Sequence, residues 1–152
     1  MENFQERLGY HFKNQTLLIR ALTTKAFVND ERLKGRHHED QGVLGILGDA
    51  VLRTIFVELL IRAHYPTPDA ITQEKKNLER HDALAGIASE IGIGPSIRLG
   101  TDEKIRGAEM EPAVLAATLA AIIGAIYLDG GFEASRQAVI RWFGDGIKPH
   151  HG

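Results

Sequence analysis

The 152-residue sequence contains no cysteine, which excludes a disulfide framework, a thiolate zinc site and a thiol nucleophile together. It also lacks an excess of positive charge. Eighteen Lys and Arg stand against 20 Asp and Glu, a formal charge of −2, so no general positive field advertises nucleic acid and any such affinity rests on a local patch. No stretch sustains the period-two alternation of a half-buried strand, which leaves an all-α fold of about seven or eight helices. The first residues, Met1-Glu2-Asn3-Phe4-Gln5-Glu6-Arg7, lack the apolar run of a signal peptide, so a cytoplasmic protein is expected. The longest uncharged run, Pro112 to Leu128, falls short of the roughly 20 residues that span a bilayer and reads as a buried helix, with no membrane involved. Repeats and low-complexity segments are absent too. A content of 43% hydrophobic and 25% charged residues describes one domain over residues 1–152, with a sizeable core.

What is present is organised around one stretch. Gly42-Val43-Leu44-Gly45-Ile46-Leu47-Gly48-Asp49-Ala50-Val51-Leu52, continuing through Arg53 to Tyr65, reads as a long helix. Leu44, Leu47, Val51, Ile55 and Leu59 form one apolar stripe, and Ile46, Ala50, Val57, Leu60 and Ile61 form a second beside it. Such a helix has to be covered on more than one side, by other helices or by a second copy of the chain, and a homodimer is expected. Asp49 is the single acid in its apolar first half and shares a face with Gly42 and Gly45. A carboxylate there needs a partner. It either caps a neighbouring helix or pairs with a base such as Arg20, or it serves a site.

Along the chain, Asn14 is placed to cap a helix over Gln15 to Leu22. Val28 to Gln41 is polar and reads as a solvated loop, in which His37, His38 and Glu39 are either exposed or a metal-binding group. Pro66-Thr67-Pro68 stops the central helix, and Thr72 begins the next one. Lys75, Lys76 and Arg80 on that helix are candidates for phosphate contacts, although the interleaved acids favour a merely solvated face. Asp82 is expected to cap a helix that carries Leu84, Ile87, Ala88 and Ile91 inward and ends at Gly92. Ile93 to Glu111 reads as an irregular loop. Pro112 opens a second buried helix that closes at Asp129-Gly130-Gly131, and an amphipathic helix with Ala134, Ala138, Val139, Trp142 and Phe143 follows it.

Leu47-Gly48-Asp49-Ala50-Val51-Leu52 and Ile122-Ile123-Gly124-Ala125-Ile126-Tyr127-Leu128-Asp129-Gly130-Gly131 resemble signature runs of the ribonuclease III catalytic domain. Leu8-Gly9-Tyr10-His11-Phe12-Lys13-Asn14, Ala21-Leu22-Thr23-Thr24-Lys25-Ala26-Phe27 and Leu84-Ala85-Gly86-Ile87-Ala88 resemble that family in order and spacing, so the likeness covers most of residues 8 to 140. It implies an all-α fold that dimerises through the long signature helix. In the family, carboxylates from the two buried helices hold Mg2+ for cleavage of double-stranded RNA. This chain departs from that pattern. Gly42 and Gly45 stand where the signature has glutamates, and Ala117 and Ala120 stand where the second helix has an aspartate and a glutamate. Asp49 is the acid retained.

These readings give a leading expectation of a catalytically inactive ribonuclease III-like protein, dimeric, with an RNA-binding or scaffold role and no cofactor. One alternative is a double-stranded-RNA endoribonuclease with a rearranged metal site, in which Asp49 remains a ligand and Glu39, Asp40 or Glu111 reaches toward it. Another is a dimerisation module that regulates an active relative. With the sequence ending at Lys148-Pro149-His150-His151-Gly152, the family's accessory double-stranded-RNA-binding domain is not expected.

Overall fold

The computed structural model describes residues 2–150, Glu2 by its backbone alone, so Met1, His151 and Gly152 of the expected 1–152 domain lie outside the described residues. In chain order the helices are α1 (Glu2–Leu8), α2 (Gln15–Ala21), α3 (Lys25–Leu33), α4 (Gly42–Arg62), α5 (Pro68–Glu79), α6 (His81–Ile91), α7 (Thr101–Ile105), α8 (Pro112–Gly130) and α9 (Phe132–Phe143). Single 3-10 turns occupy Gly94–Ser96, Ala108–Met110 and Gly144–Gly146. Extended pairing among the described residues is limited to one isolated parallel bridge between Thr23 and Arg98.

The all-α expectation holds, with nine α-helices among the described residues. The additional elements fall where the sequence reads as loop, because neither shows a period. α3 starts where the Thr24 hydroxyl accepts from the Phe27 N–H, and it buries only Val28. α7 is one turn long, and the Glu103 carboxylate reaches back to the Gly100 N–H at 2.9 Å while accepting from the Thr24 hydroxyl at 2.6 Å. Three helix boundaries also differ. α4 stops at Arg62, ahead of the prolines, where His64 turns to φ 69°. Thr67 caps α5, whose Oγ1 accepts from Ala70 N–H, and Pro68 sits in its first turn rather than blocking it. Arg80, not Asp82, is the residue before α6, and Asp82 lies in the first turn bound to the Arg80 guanidinium. The Asn14 cap, the left-handed Gly92 and the Pro112 start are where the sequence puts them.

α8 is the axis of the core. Thr118 through Ile126 are all buried, covered by α2, α4, α6 and α9. By length and composition this helix is long enough to cross a membrane, contrary to the expectation from sequence, yet its residues are largely buried within the protein. α4 crosses α8 so closely that backbone meets backbone. A methyl group at Gly48 would overlap the Ala120 carbonyl, and one at Gly124 would overlap the Leu44 carbonyl. Glycine is used here to bring the two axes together. The buried face of α4 follows the first of the two stripes read from sequence and widens it, since Gly48, Leu52 and Phe56 join Leu44, Val51 and Ile55. In the second stripe Leu60 is buried, whereas Ile46, Ala50 and Ile61 face outward.

Two signature runs far apart in sequence meet in a clasp. The Asp129 carboxylate accepts from the Tyr10 hydroxyl at 2.6 Å and from the N–H groups of Lys13 and Asn14 at 2.8 and 2.9 Å. Gly131 follows with φ 91° and ψ −179°, a conformation that glycine adopts without strain. Burial raises the Asp129 pKa, but the three donors outweigh it and hold the carboxyl below its ordinary value. The Tyr10 hydroxyl is pushed up to about 12 by burial and by its bond to Asp129. Because the folded pKa of Asp129 is depressed, its stabilisation is present above the unfolded value and lost as pH falls through the folded one. Asp129→Ala is expected to lower stability by about 2 kcal/mol at neutral pH, measured by urea unfolding, with the deficit shrinking in acid.

Candidate functional site

Beside the α4–α8 crossing lies a hollow of about 460 Å3. Gly42, Gly45 and Asp49 line it from α4, and Ala117 and Ala120 line it from α8. The structure thus brings together all five positions singled out in the sequence. The helical spacing that puts three of them on one face of α4, and the glycine crossing that draws α8 alongside, are sufficient to do this. Gly45 faces open space, with no atom within 4 Å of an added Cβ, and at Gly42 the nearest is the Asp40 carboxylate oxygen at 3.1 Å. Ala117 is exposed, whereas Ala120 is only 3% exposed at the floor.

Asp49 supplies the carboxylate of this group of five. Arg20, its expected alternative partner, lies elsewhere, bound to Glu39 at 3.0 Å and donating to the Asp40 carbonyl at 3.2 Å. The other charged groups at the hollow are Arg53, Glu79 and His81. Arg53 is spent on Glu79 at 3.5 Å, which is also held by Lys75 at 2.8 Å. Asp49 is exposed along one side and has no ion-pair partner among the described residues, and its pKa is raised, chiefly by partial desolvation against the hollow. Arg53 and His81 oppose that rise, and the Glu79 charge adds to it. Sequence reasoning missed the convergence of Arg53, Glu79 and His81, because Glu79 and His81 come from α5 and α6 and no spacing rule links them to α4.

The donor set does not fit a resident Mg2+. Of the five positions, four carry no ligand atom in their side chains, and one carboxylate leaves the remaining coordination to water. Among the described residues no group of three or more His, Asp or Glu side chains is arranged to hold a metal ion. His37, His38 and Glu39 do not converge on one point. His38 lies 3.1 Å from Glu31 and against the Phe27 ring, while Glu39 is engaged by Arg20. The acids named for a rearranged site are also engaged, Glu111 by Arg106 at 2.7 Å and Asp40 by the Gly42 N–H.

Of the phosphate-contact candidates, Lys75 is tied to Glu79 and Arg80 is bidentate to Asp82. Lys76 is exposed. All three lie on or just after α5, whose Glu79 edges the hollow.

The chain matches the family model described as Ribonuclease-III-like over residues 14–146. It is 36% identical to Ribonuclease 3 of Bdellovibrio bacteriovorus over 93% of its own length, and 39% identical to Ribonuclease 3 of Nitrosomonas eutropha over 90%. It spans 60% and 53% of the lengths of those two relatives. Among solved structures it is similar to the nuclease domain of a ribonuclease III from Campylobacter jejuni, with TM-score 0.85, 30% identity, and 95% and 96% of the two chains covered. That structure is described as showing flexibility in a region involved in dimer formation.

Proposed function

Because the chain belongs to the ribonuclease III family, we propose that it is a member that keeps the family's shape without its metal chemistry. In this reading it acts as a cytoplasmic, dimeric RNA-binding or scaffold protein in RNA processing or a ribonucleoprotein. One observation carries the proposal. The two helices on which the family's acids would fall are packed backbone to backbone, the five matching positions line one hollow, and four of the five are glycine or alanine. Clustered carboxylates repel one another without a cation. Small neutral residues remove that repulsion while leaving the fold unstrained.

The dimer is supported by the outward face of α4. Val43 is 64% exposed, Ile46 74% and Ile61 58%, and with Ala50 and the half-buried Val57 they lie at intervals of three, four and seven residues along the helix. Ile46 also lines the hollow, so a copy packed on this face borders the site. Light scattering at micromolar concentration is expected to give twice the chain mass, and Ile46→Lys with Ile61→Glu is expected to give the monomer mass with the helical spectrum retained. A monomer mass for the unmodified chain overturns the dimer reading.

RNA binding is tested by titrating a duplex at two salt concentrations. Weak binding that weakens further with salt is expected, since the candidate cations are largely paired with acids. No binding to duplex or structured RNA favours the pure dimerisation module, which mixes with an active relative. Metal-dependent cleavage favours the rearranged endoribonuclease.

A further inference from the structure

The structure has a second hollow, of about 480 Å3, on the far side of the segment that leads into α4. We propose that it binds a phosphomonoester of nucleotide size, anchored by Arg98.

Arg98 is held in place at both ends. Its backbone forms the parallel bridge to Thr23, with the Arg98 N–H donating to the Leu22 carbonyl at 2.7 Å and the Thr24 N–H donating to the Arg98 carbonyl at 3.1 Å. Its guanidinium lies over the Phe27 ring, 4.4 Å from the centroid, and Nη1 donates to the Thr23 hydroxyl at 3.3 Å. Among the described residues no carboxylate pairs with it. A planar cation fixed in this way has already lost its rotamer freedom and still has N–H groups to give, the condition in which guanidinium binds an oxyanion best.

The surroundings fit the same ligand. Thr16, Arg20, His37 and His38 line the hollow with Arg98, while the buried Thr23 hydroxyl, donating to the Ile19 carbonyl at 2.6 Å, serves to hold Arg98 in place. Leu17 and the 41% exposed Ile19 give it an apolar side, and its volume falls in the range of small-ligand sites. Glu39 is the one acid in the lining. It is paired with Arg20 and its side chain is 73% exposed, and a solvent-exposed pair of this kind is worth at most about 1 kcal/mol. A phosphate dianion can therefore draw Arg20 away from Glu39 and bridge it to Arg98. The hollow is separate from the one at Asp49: Gln41 stands between them, its N–H on the Thr23 carbonyl and its amide on the Ala21 carbonyl and the Thr118 hydroxyl.

The test is a titration of the full chain with inorganic phosphate and with adenosine 5′-monophosphate, followed by calorimetry and by amide chemical-shift mapping. Saturable shifts at residues 16–23, 37–39 and 98 are expected, with the nucleotide roughly tenfold tighter than phosphate because it also uses the apolar side. Arg98→Gln is expected to weaken both by roughly tenfold or more. Ile19→Asp, at an exposed position that the core does not need, is expected to abolish nucleotide binding with the fold unchanged. No saturable shift up to about 10 mM, a millimolar affinity being only about 4 kcal/mol, overturns the proposal. So do shifts centred elsewhere, or saturation by duplex RNA alone. The mapping on the unmodified chain decides the matter even if Arg98→Gln does not fold.

Discussion

Gly48→Ala is expected to lower the melting temperature by roughly 6–12 °C, whereas Gly45→Ala, one turn earlier in the same helix, is expected to raise it by a few degrees. An added Cβ at Gly48 meets the Ala120 carbonyl, which is backbone and cannot rotate aside, so α4 and α8 have to separate along their whole contact. Overpacking of a core costs about 1–3 kcal/mol, and more where the obstacle is rigid. At about 2–4 °C per kcal/mol for a domain of this size, 3 kcal/mol gives the stated loss. Gly124→Ala meets the Leu44 carbonyl and is expected to behave in the same way. At Gly45 nothing lies within 4 Å, and alanine restores roughly 0.5–1 kcal/mol of helix preference. Calorimetric scans of the three variants check this. A Gly48→Ala protein as stable as the parent would show that the helices are not in backbone contact.

The second large effect concerns the vacated positions. The unmodified chain is expected neither to cleave double-stranded RNA with Mg2+ or Mn2+ nor to gain melting temperature from either ion. Restoring Gly42→Glu, Gly45→Glu, Ala117→Asp and Ala120→Glu together is expected to create metal-dependent stabilisation. An ion that binds only the folded state stabilises it by RT ln(1 + [L]/Kd), about 2.7 kcal/mol at a hundredfold excess over Kd, which is roughly 5–11 °C. Space permits the change at the two glycines, since Gly45 is open and only the Asp40 side chain stands near Gly42, and Ala117 is exposed. Without metal the same variant is expected to melt below the parent, because four new carboxylates then join Asp49 and Glu79 in one hollow. Its metal response should vanish when Asp49→Ala is added. Ion-dependent cleavage by the parent chain, abolished by Asp49→Ala, would establish the rearranged-site alternative instead.

The site was legible in the sequence because its positions are fixed by local rules. Gly42, Gly45 and Asp49 fall on one helical face, Ala117 and Ala120 are neighbours on another helix, and resemblance supplied the pairing of the two. The caps at Asn14, Gly92 and Pro112 were legible for the same reason, each being decided within one turn. What was missed depends on partners distant in the chain. α7 is held by Glu103 reaching Thr24, 79 residues away, and no periodicity signals it. Arg53, Glu79 and His81 meet at the hollow through the packing of α5 and α6 on α4. The outward turn of Ile46 and Ile61 follows from which side α8 occupies, and the amphipathic pattern alone left both stripes equivalent.

The clasp between Asp129 and the segment after α1 bears on the order in which this protein is made. Residues 10–14 leave the ribosome long before their acceptor, which follows Tyr10 by 119 positions. The Leu8 carbonyl likewise waits for the Trp142 indole, 134 positions later. The first two helices therefore cannot complete their packing during most of synthesis, and contacts of such long sequence separation slow folding in general. Folding during translation is gated by the emergence of α8 and α9, and a chain stalled before residue 112 lacks the helix against which α2, α4 and α6 bury their faces.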